Sequence, residues 1–208
     1  MNIGVLGGTF DPVHMGHLII AEEVRARLDL SEVLFVPAGQ PWLKLNDANA
    51  ISPAEHRVEM VRLAITDEPA FRLSTMEIER PGPSYTVDTM AELSKQIGDG
   101  DKLFFILGWD NLNQLPRWHQ PRRLVTLCRL VPVRRVGFAP PDLDSLEAAI
   151  PGLAQSLVML DTPQIEISAS EIRARVARGL SIHQLVPEAV ERYIIEHGLY
   201  VPNHSAPS

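Results

Sequence analysis

Two histidines and three glycines lie within eleven residues near the start of the chain. The segment reads Gly7-Gly8-Thr9-Phe10-Asp11-Pro12-Val13-His14-Met15-Gly16-His17. Glycines let a backbone approach a phosphate without a Cβ in the way, and the start of a helix supplies N–H groups to an anion. Imidazoles three residues apart on a helical turn can face the same point, with the glycine between them leaving that face open. The segment therefore indicates a site for a phosphate-bearing ligand.

Elements on either side must position this segment. Short apolar runs predict strands at Ile3–Leu6, Val33–Val36, Phe71–Ser74, Leu103–Leu107 and Leu127–Val133. Helical spacing and capping patterns predict helices at Leu18–Leu30, Ser52–Ile65, Val87–Ile97, Ser168–Arg178 and Pro187–His197. A proline-rich loop is expected over Val136–Asp144. This alternation predicts an α/β fold, a doubly wound, Rossmann-like parallel sheet with helices on both faces, and the histidine segment at the carboxyl end of its first strand.

The bulk properties restrict the class of protein. The 208 residues fit a single domain over residues 1–201, with a C-terminal helical subregion from about 165 and a frayed tail over 202–208. A net charge of −7 disfavours nucleic-acid partners, and no apolar run approaches the roughly 20 residues of a membrane span. Cys128 is the single cysteine, and no secretory signal is visible. We expect a cytoplasmic protein without a membrane or nucleic-acid partner, and a homo-oligomer stays open.

Three familiar phosphate or metal motifs do not fit the first segment. The spacing of Gly4, Gly7 and Gly8 is not that of a dinucleotide-binding G-x-G-x-x-G, and no Gly-Lys-Ser/Thr precedes the helix as in a P-loop. Met15 and Gly16 stand where a zinc protease has its H-E-x-x-H glutamate and the residue after it.

The block resembles the signature of the nucleotidyltransferase superfamily, which carries an H-x-G-H element, and in this form it is similar to bacterial nicotinate-nucleotide adenylyltransferases. Further matching blocks follow in order up to about Val201: Pro37–Lys44, His56-Arg57-x-x-Met60, Pro83–Thr89, Leu107–Asp110 with Trp118, and Ile167–Arg173. Trp109 and Ala169 depart from the family pattern, at positions usually held by a small residue and by a hydroxyl residue.

The resemblance implies transfer of an adenylyl group from ATP to nicotinate mononucleotide, giving nicotinic acid adenine dinucleotide and pyrophosphate in NAD biosynthesis. It implies catalytic roles for His14, His17 and Arg173. The ATP site it implies comprises Gly7, Gly8, Thr9, Phe10, His14, His17, Asp110, Ser168, Ser170 and Arg173, and the acceptor site comprises Lys44, Tyr85, Thr86 and Trp118. Mg²⁺ would be carried by the ATP phosphates, so no protein metal site is expected.

Four other functions are less consistent with the sequence. Phosphopantetheine adenylyltransferase is the nearest alternative, and its lack of the Ser84–Thr89 pattern separates it from this chain. A cytidylyltransferase has a differently worded late motif, and a nucleotide-binding sensor has no need of His14, His17 and Arg173 together. A nucleic-acid-binding module is disfavoured by the acidic charge.

Overall fold

Five parallel strands form one sheet in the computed structural model, which describes residues 1–41, 51–98, 100–134 and 136–202. The strands are β1 (Asn2–Gly8), β2 (Glu32–Pro37), β3 (Phe71–Leu73), β4 (Lys102–Gly108) and β5 (Arg129–Val133). Their order across the sheet is β3-β2-β1-β4-β5. The direction of winding reverses between β1 and β4, and a crevice opens at the carboxyl ends of strands at such a point. The predicted doubly wound fold is confirmed.

Helices cover both faces of this sheet. They are α1 (Met15–Arg27), α2 (Ala54–Ala64), α3 (Met76–Glu79), α4 (Thr86–Leu93), α5 (Trp109–Gln114), α6 (Pro121–Leu127), α7 (Leu143–Ala149), α8 (Leu153–Ser156), α9 (Ala169–Ala177) and α10 (Glu188–Glu196). A turn of 3₁₀ helix at Leu115–Arg117 links α5 to the approach to α6. No helix among the described residues combines the length and apolar character needed to cross a bilayer.

The core divides into two layers because neighbouring side chains on a strand point to opposite faces. In β4, Phe104 and Ile106 join a cluster covered by α1, α2 and α10. Phe105 and Leu107 of the same strand join a second cluster, covered by α4 and α6. Both faces of the sheet are therefore buried, which is why its strands read as continuous apolar runs rather than as alternating ones.

Several element boundaries differ from the predicted ones. The first helix begins at Met15 and not at Leu18, so the second histidine lies inside its first turn. The predicted strand from Leu127 is wrong at its first two residues, because α6 continues through Leu127 and β5 begins at Arg129. The predicted helix to Ile97 stops at Leu93 and gives way to turns.

The predicted loop over Val136–Asp144 ends two residues earlier than expected, because its last two residues belong to a helix. There α7 begins at Leu143, where the Asp142 side chain accepts a hydrogen bond from the Ser145 amide at 3.2 Å. The last helix ends at Glu196 with Gly198 at a positive φ of 57°, close to its predicted end. Of the tail predicted to be frayed, 203–208 lies outside the described residues.

Candidate active site

The two histidines of the first block sit at the start of α1. His14 is the N-cap residue, and His17 occupies the third position of the helix. Their rings stack with centroids 3.7 Å apart, which confirms that both imidazoles face the same point. The His14 amide donates to Nδ1 of His17 at 3.1 Å, the reach-back that a glutamate or glutamine makes in a capping box. Since Nδ1 accepts this bond, the proton of the neutral His17 ring lies on Nε2.

Gly16 has a different reason to be glycine from the one its spacing predicts. A Cβ at this position would lie 2.5 Å from Cγ2 of Ile165 and 3.0 Å from Nδ1 of His14. The glycine therefore admits the segment before α9 against the helix start, and the expectation that it leaves an open face is wrong at that contact. Gly16 and Ile165 both border the cavity described below.

Asp11, in the loop after β1, is a centre of long-range contacts. Its side chain is 3% exposed. One carboxylate oxygen accepts from the Tyr200 hydroxyl at 2.6 Å and the other from the Ser52 amide at 3.1 Å. The Asp11 carbonyl accepts from Nη1 of Arg173 at 2.7 Å. Three distant parts of the chain therefore meet at this residue.

Arg57, a buried residue of α2, holds the loop after β1 that contains Asp11. It is 2% exposed and donates to the carbonyls of Thr9 at 2.9 Å and Ala38 at 2.7 Å, and to the Ser52 carbonyl at 3.0 Å. Burial lowers the pKa of this guanidinium, and the neighbouring Asp11 carboxylate opposes that shift. The loops after β1 and β2 are thus tied to one buried cation.

A second wall is built by α9. Ser168 is its N-cap, and the Ser168 hydroxyl accepts from the Glu171 amide at 3.2 Å, so the predicted cap is confirmed. Ala169 borders the cavity, whereas Ser168 and Ser170 do not. Arg173, one turn later, also borders it, and its Nη2 donates to the Ser170 hydroxyl at 3.4 Å. At this wall an anion would meet helix N–H groups and a guanidinium.

The third wall contains the start of α4, with Thr86 as its first residue. The Ser84 hydroxyl accepts from the amides of Gly39 at 2.9 Å and Gln40 at 3.2 Å, which ties this wall to the loop after β2. Behind it the Thr89 hydroxyl donates to the carboxylate of Glu77 at 2.6 Å. Burial raises the pKa of Glu77, although hydrogen bonds from Thr89 and Ser84 act in the opposite direction.

Aromatic and acidic side chains complete the rim. Trp118 packs edge-on against Phe105, with ring centroids 6.1 Å apart, and its Nε1 is buried without a hydrogen-bond partner in the part of the chain that the structure describes. Asp110 is the second residue of α5, whose N-cap is Gly108, so Asp110 does not cap that helix. Tyr85 stacks on His119 at 4.3 Å and does not border the cavity.

One cavity of about 360 Å³ at the carboxyl ends of β1 and β4 brings most of these groups together. Of the site residues predicted from the sequence, it is bordered by Gly7, Gly8, Thr9, Phe10, His14, His17, Thr86, Asp110, Trp118 and Arg173. The cavity is not bordered by Tyr85, Ser168 or Ser170, and Lys44 lies outside the described residues. Its volume falls within the range typical of ligand pockets.

Sequence reasoning missed Glu77, Ser84, Thr89 and Arg134 as residues that border this cavity. Ser84 and Thr89 belong to a block already matched as a motif, so that block was the available signal. No group of three or more His, Cys, Asp or Glu side chains within the described ranges is arranged to hold a metal ion.

Comparisons with known proteins agree on one family. A family model described as cytidylyltransferase-like matches residues 5–175. A probable nicotinate-nucleotide adenylyltransferase of Dehalococcoides mccartyi (strain ATCC BAA-2266 / KCTC 15142 / 195) is 52% identical over 200 residues, covering 96% of this chain and 97% of its own. One from Roseiflexus sp. (strain RS-1) is 48% identical over 198 residues, covering 95% and 97%.

The fold has a counterpart among solved structures. The chain superposes on Plasmodium falciparum nicotinic acid mononucleotide adenylyltransferase complexed with NaAD with a TM-score of 0.76 at 20% identity, covering 96% of this chain and 97% of that one.

Proposed function

The chain belongs to the cytidylyltransferase-like family and, within it, to the nicotinate-nucleotide adenylyltransferases, and from this premise we propose that it transfers the adenylyl group of ATP to nicotinate mononucleotide. The products are nicotinic acid adenine dinucleotide, a precursor in NAD biosynthesis, and pyrophosphate. One observation carries the proposal for the site: phosphate-binding groups at the starts of α1 and α9 face the same cavity as Thr86 and Trp118 at the acceptor wall.

The reaction needs alignment more than acid–base chemistry. A phosphate oxygen of the mononucleotide attacks the α-phosphorus of ATP, the bond from that phosphorus to the bridging oxygen breaks, and pyrophosphate leaves with the electron pair. The attacking phosphate is largely dianionic at pH 7, because its second pKa is about 6, so no side chain has to remove a proton. The protein has to hold two anions in line and stabilise the charge that spreads over the phosphoryl oxygens.

His14, His17 and Arg173 are the residues to which we assign this stabilisation. His17 is oriented by the hydrogen bond from the His14 amide to its Nδ1, and this leaves Nε2–H as the donor to an ATP phosphate oxygen. His14 supports the ring from one side by stacking. Arg173 borders the cavity from α9, where its guanidinium can donate to two phosphate oxygens at once.

The remaining predicted residues complete the two substrate sites. The backbone of Gly7, Gly8, Thr9 and Phe10 lies along the phosphates, and Asp110 accepts from a sugar hydroxyl. Thr86 begins α4, whose N–H groups favour the nicotinate carboxylate over a neutral amide, and the Trp118 ring stacks on the pyridine. Tyr85, Ser168 and Ser170 act through the walls that they build, and Lys44 remains a proposed phosphate contact.

Mg²⁺ is the divalent cation we propose, and the ATP phosphates would carry it. The walls nearest the phosphate groups present imidazole, guanidinium and N–H donors, and a magnesium ion bound through phosphate oxygens and water needs no protein cage. Such an ion would neutralise part of the triphosphate charge. We also propose the cytoplasm as the location of the enzyme.

Pyrophosphate release tests the proposal directly. The purified protein with ATP and Mg²⁺ is offered nicotinate mononucleotide, nicotinamide mononucleotide and phosphopantetheine in parallel, and release is expected with nicotinate mononucleotide far above the other two. Release with phosphopantetheine alone would overturn the acceptor site while keeping the ATP site. ATP binding without release of pyrophosphate in the presence of any of the three acceptors would instead favour a nucleotide sensor.

A further inference from the structure

The last described residues of the chain contact the loop that carries the catalytic histidines. Tyr200 follows α10 and has a positive φ of 65°, so its ring turns back toward the sheet instead of continuing the helix direction. Its hydroxyl donates to Oδ1 of Asp11 at 2.6 Å, a contact between residues 189 positions apart. Burial and the neighbouring carboxylate raise the pKa of this hydroxyl, so it stays protonated and acts as the donor. The reaction as proposed gives neither residue a role.

Asp11 passes this contact on to Arg173. Its carbonyl accepts from Nη1 of Arg173 at 2.7 Å, while its carboxylate is held by Tyr200 and by the Ser52 amide. A peptide carbonyl moves with its residue, so the position of the Asp11 side chain sets the point at which the guanidinium is anchored. His14, the N-cap of α1, follows only three residues later.

The surroundings of Asp11 show that the loop is held from several directions. Arg57, 2% exposed, faces Asp11 and fixes the preceding Thr9 carbonyl at 2.9 Å. Tyr200 adds the tie to the C-terminal segment, and its ring packs partly buried against the core cluster under α1 and α2. Replacing the hydroxyl alone would thus remove its bond to Asp11 and its weaker bond to Sδ of Met60 at 3.9 Å, and leave the ring packing and the other contacts of Asp11 in place.

We propose that Tyr200 is a positioning residue: by holding Asp11 it places the Arg173 guanidinium for the ATP phosphates, so the segment after α10 is a working part of the active site. The effect on kcat rests on the proposed adenylyl transfer, whereas the effect on nucleotide binding requires only that the protein binds ATP. A misplacement of about 1 Å can slow an aligned reaction by about 100-fold. Loss of the Tyr200 hydroxyl is therefore expected to lower kcat.

Tyr200→Phe tests the proposal, with Tyr193→Phe as the matched control. The Tyr193 hydroxyl makes a comparable bond, to Nδ1 of His56 at 2.9 Å, but neither partner borders the cavity. Tyr200→Phe is expected to lower kcat by on the order of 10- to 100-fold. It should leave KM for nicotinate mononucleotide close to wild type, and Tyr193→Phe should match wild type in both kcat and KM. The thermal midpoint of each variant is measured alongside, because loss of a hydrogen bond to the buried Asp11 carboxylate also lowers stability.

A double-mutant cycle with Arg173→Ala separates positioning from general stability. If Tyr200 acts through Arg173, the Tyr200→Phe change should have little further effect on kcat once the guanidinium is gone. Independent, multiplicative effects of the two changes on kcat would overturn the proposal. So would unaltered kcat in Tyr200→Phe, or equal losses in both tyrosine variants that follow a lower thermal midpoint.

Equilibrium binding of a non-hydrolysable ATP analogue keeps this test apart from the proposed function. Tyr200→Phe should weaken analogue binding several-fold whatever the acceptor proves to be, and Tyr193→Phe should not. If the wild type releases no pyrophosphate with nicotinate mononucleotide, the proposed function fails while the binding comparison still decides on Tyr200. Unchanged analogue affinity together with unchanged kcat would return Tyr200 to a packing role.

Discussion

His17 illustrates how one backbone hydrogen bond can set a side chain for catalysis. Its Nδ1 accepts from the His14 amide, which leaves Nε2 as the donor that we propose for an oxygen that gains charge in the transition state. His17→Ala is expected to lower kcat by about 10²- to 10³-fold, about 2.7–4 kcal/mol, with the fold intact by circular dichroism. His183→Ala serves as the control, because that ring is exposed and bonded to Glu191. Near-normal turnover in His17→Ala would remove the imidazole from the mechanism.

Trp118 takes part in both the core and the cavity, so its replacement has to separate the two. Trp118→Leu keeps apolar contact with Phe105 and removes the aromatic ring from the acceptor wall. Because aromatic stacking contributes about 0.5–1.5 kcal/mol, KM for nicotinate mononucleotide should rise by roughly two- to tenfold, and KM for ATP should not change. Trp109→Leu is the control, since Trp109 packs against Arg134 and does not border the cavity. An unchanged acceptor KM in Trp118→Leu would assign Trp118 to the core alone.

Residue types and spacing predicted the paired histidines, because their partnership is local to one helical turn. They did not predict Asp11 with Tyr200 or Arg57 with Thr9, whose partners are 189 and 48 positions apart. No short pattern encodes such contacts. Arg57 did carry a signal: it shares the buried face of α2 with Met60, Val61 and Ala64, where a charged residue is out of place unless it is paired.

At the level of elements, the loop after β2 lies so close to α3 that there is no room for a side chain at Gly39. A Cβ on Gly39 would overlap the Glu77 carbonyl oxygen, a backbone atom that can move only with its helix. Gly39→Ala is therefore expected to break the bond from the Gly39 amide to Ser84 and to cost about 1–3 kcal/mol of unfolding free energy, measured in urea. KM for the acceptor should also rise, because the Gly39–Ser84 bond ties the loop after β2 to the wall that contains Thr86.

Gly98→Ala provides the matched control for this substitution. A Cβ there would meet its nearest neighbour, the Asp101 carboxylate, at 3.4 Å, an ordinary contact, and Gly98 does not border the active-site cavity. Equal stability losses in the two variants would show that glycine flexibility, and not the close approach to Glu77, accounts for the effect at Gly39.

The elements that the sequence pattern missed are short. Pro121 at the first position of α6 was a start signal, but the last residue of this helix, Leu127, continues into the apolar residues of β5, and the predicted strand therefore began there. α5 follows β4 without an intervening loop, and its six residues, Trp109–Gln114, are too few to show a helical period. Long strands and helices with caps were predicted well because many residues share one period, which six- and seven-residue helices do not offer.

For the whole molecule, the order of strands determines what can meet. β1 and β4 are adjacent in the sheet although about one hundred residues separate them, and their carboxyl ends hold the His14 loop and Asp110 side by side. α9 and the segment after α10 then return to the same edge through Arg173 and Tyr200. The proposed ATP site thus combines residues from the first and last thirds of the chain with Asp110, and the proposed acceptor wall comes from the middle third.

Glu77, a buried carboxyl group that borders the cavity near the proposed acceptor wall, gives the stability of the whole fold a predictable dependence on pH. Its side chain is 8% exposed, and burial raises its pKa above the ordinary 4.5. Between pH 4.5 and the raised pKa, Glu77 is protonated in more of the folded protein than of the unfolded chain. The stability that Glu77 contributes is therefore fully present below pH 4.5 and is lost as pH rises through the pKa of the folded state. Glu77→Gln removes this group and keeps an oxygen for the Thr89 hydroxyl.

The difference in unfolding free energy between Glu77→Gln and wild type, measured in urea from about pH 4 to pH 7, should therefore shift in favour of the glutamine variant as pH rises. Other titrating groups are common to both proteins and largely cancel in this difference. Glu79→Gln, on the exposed side of the same short helix, accounts for the general loss of one carboxylate. A shift in favour of wild type would mean that the hydrogen bonds from Thr89 and Ser84 outweigh burial, so that the wall behind the acceptor holds a stabilised negative charge.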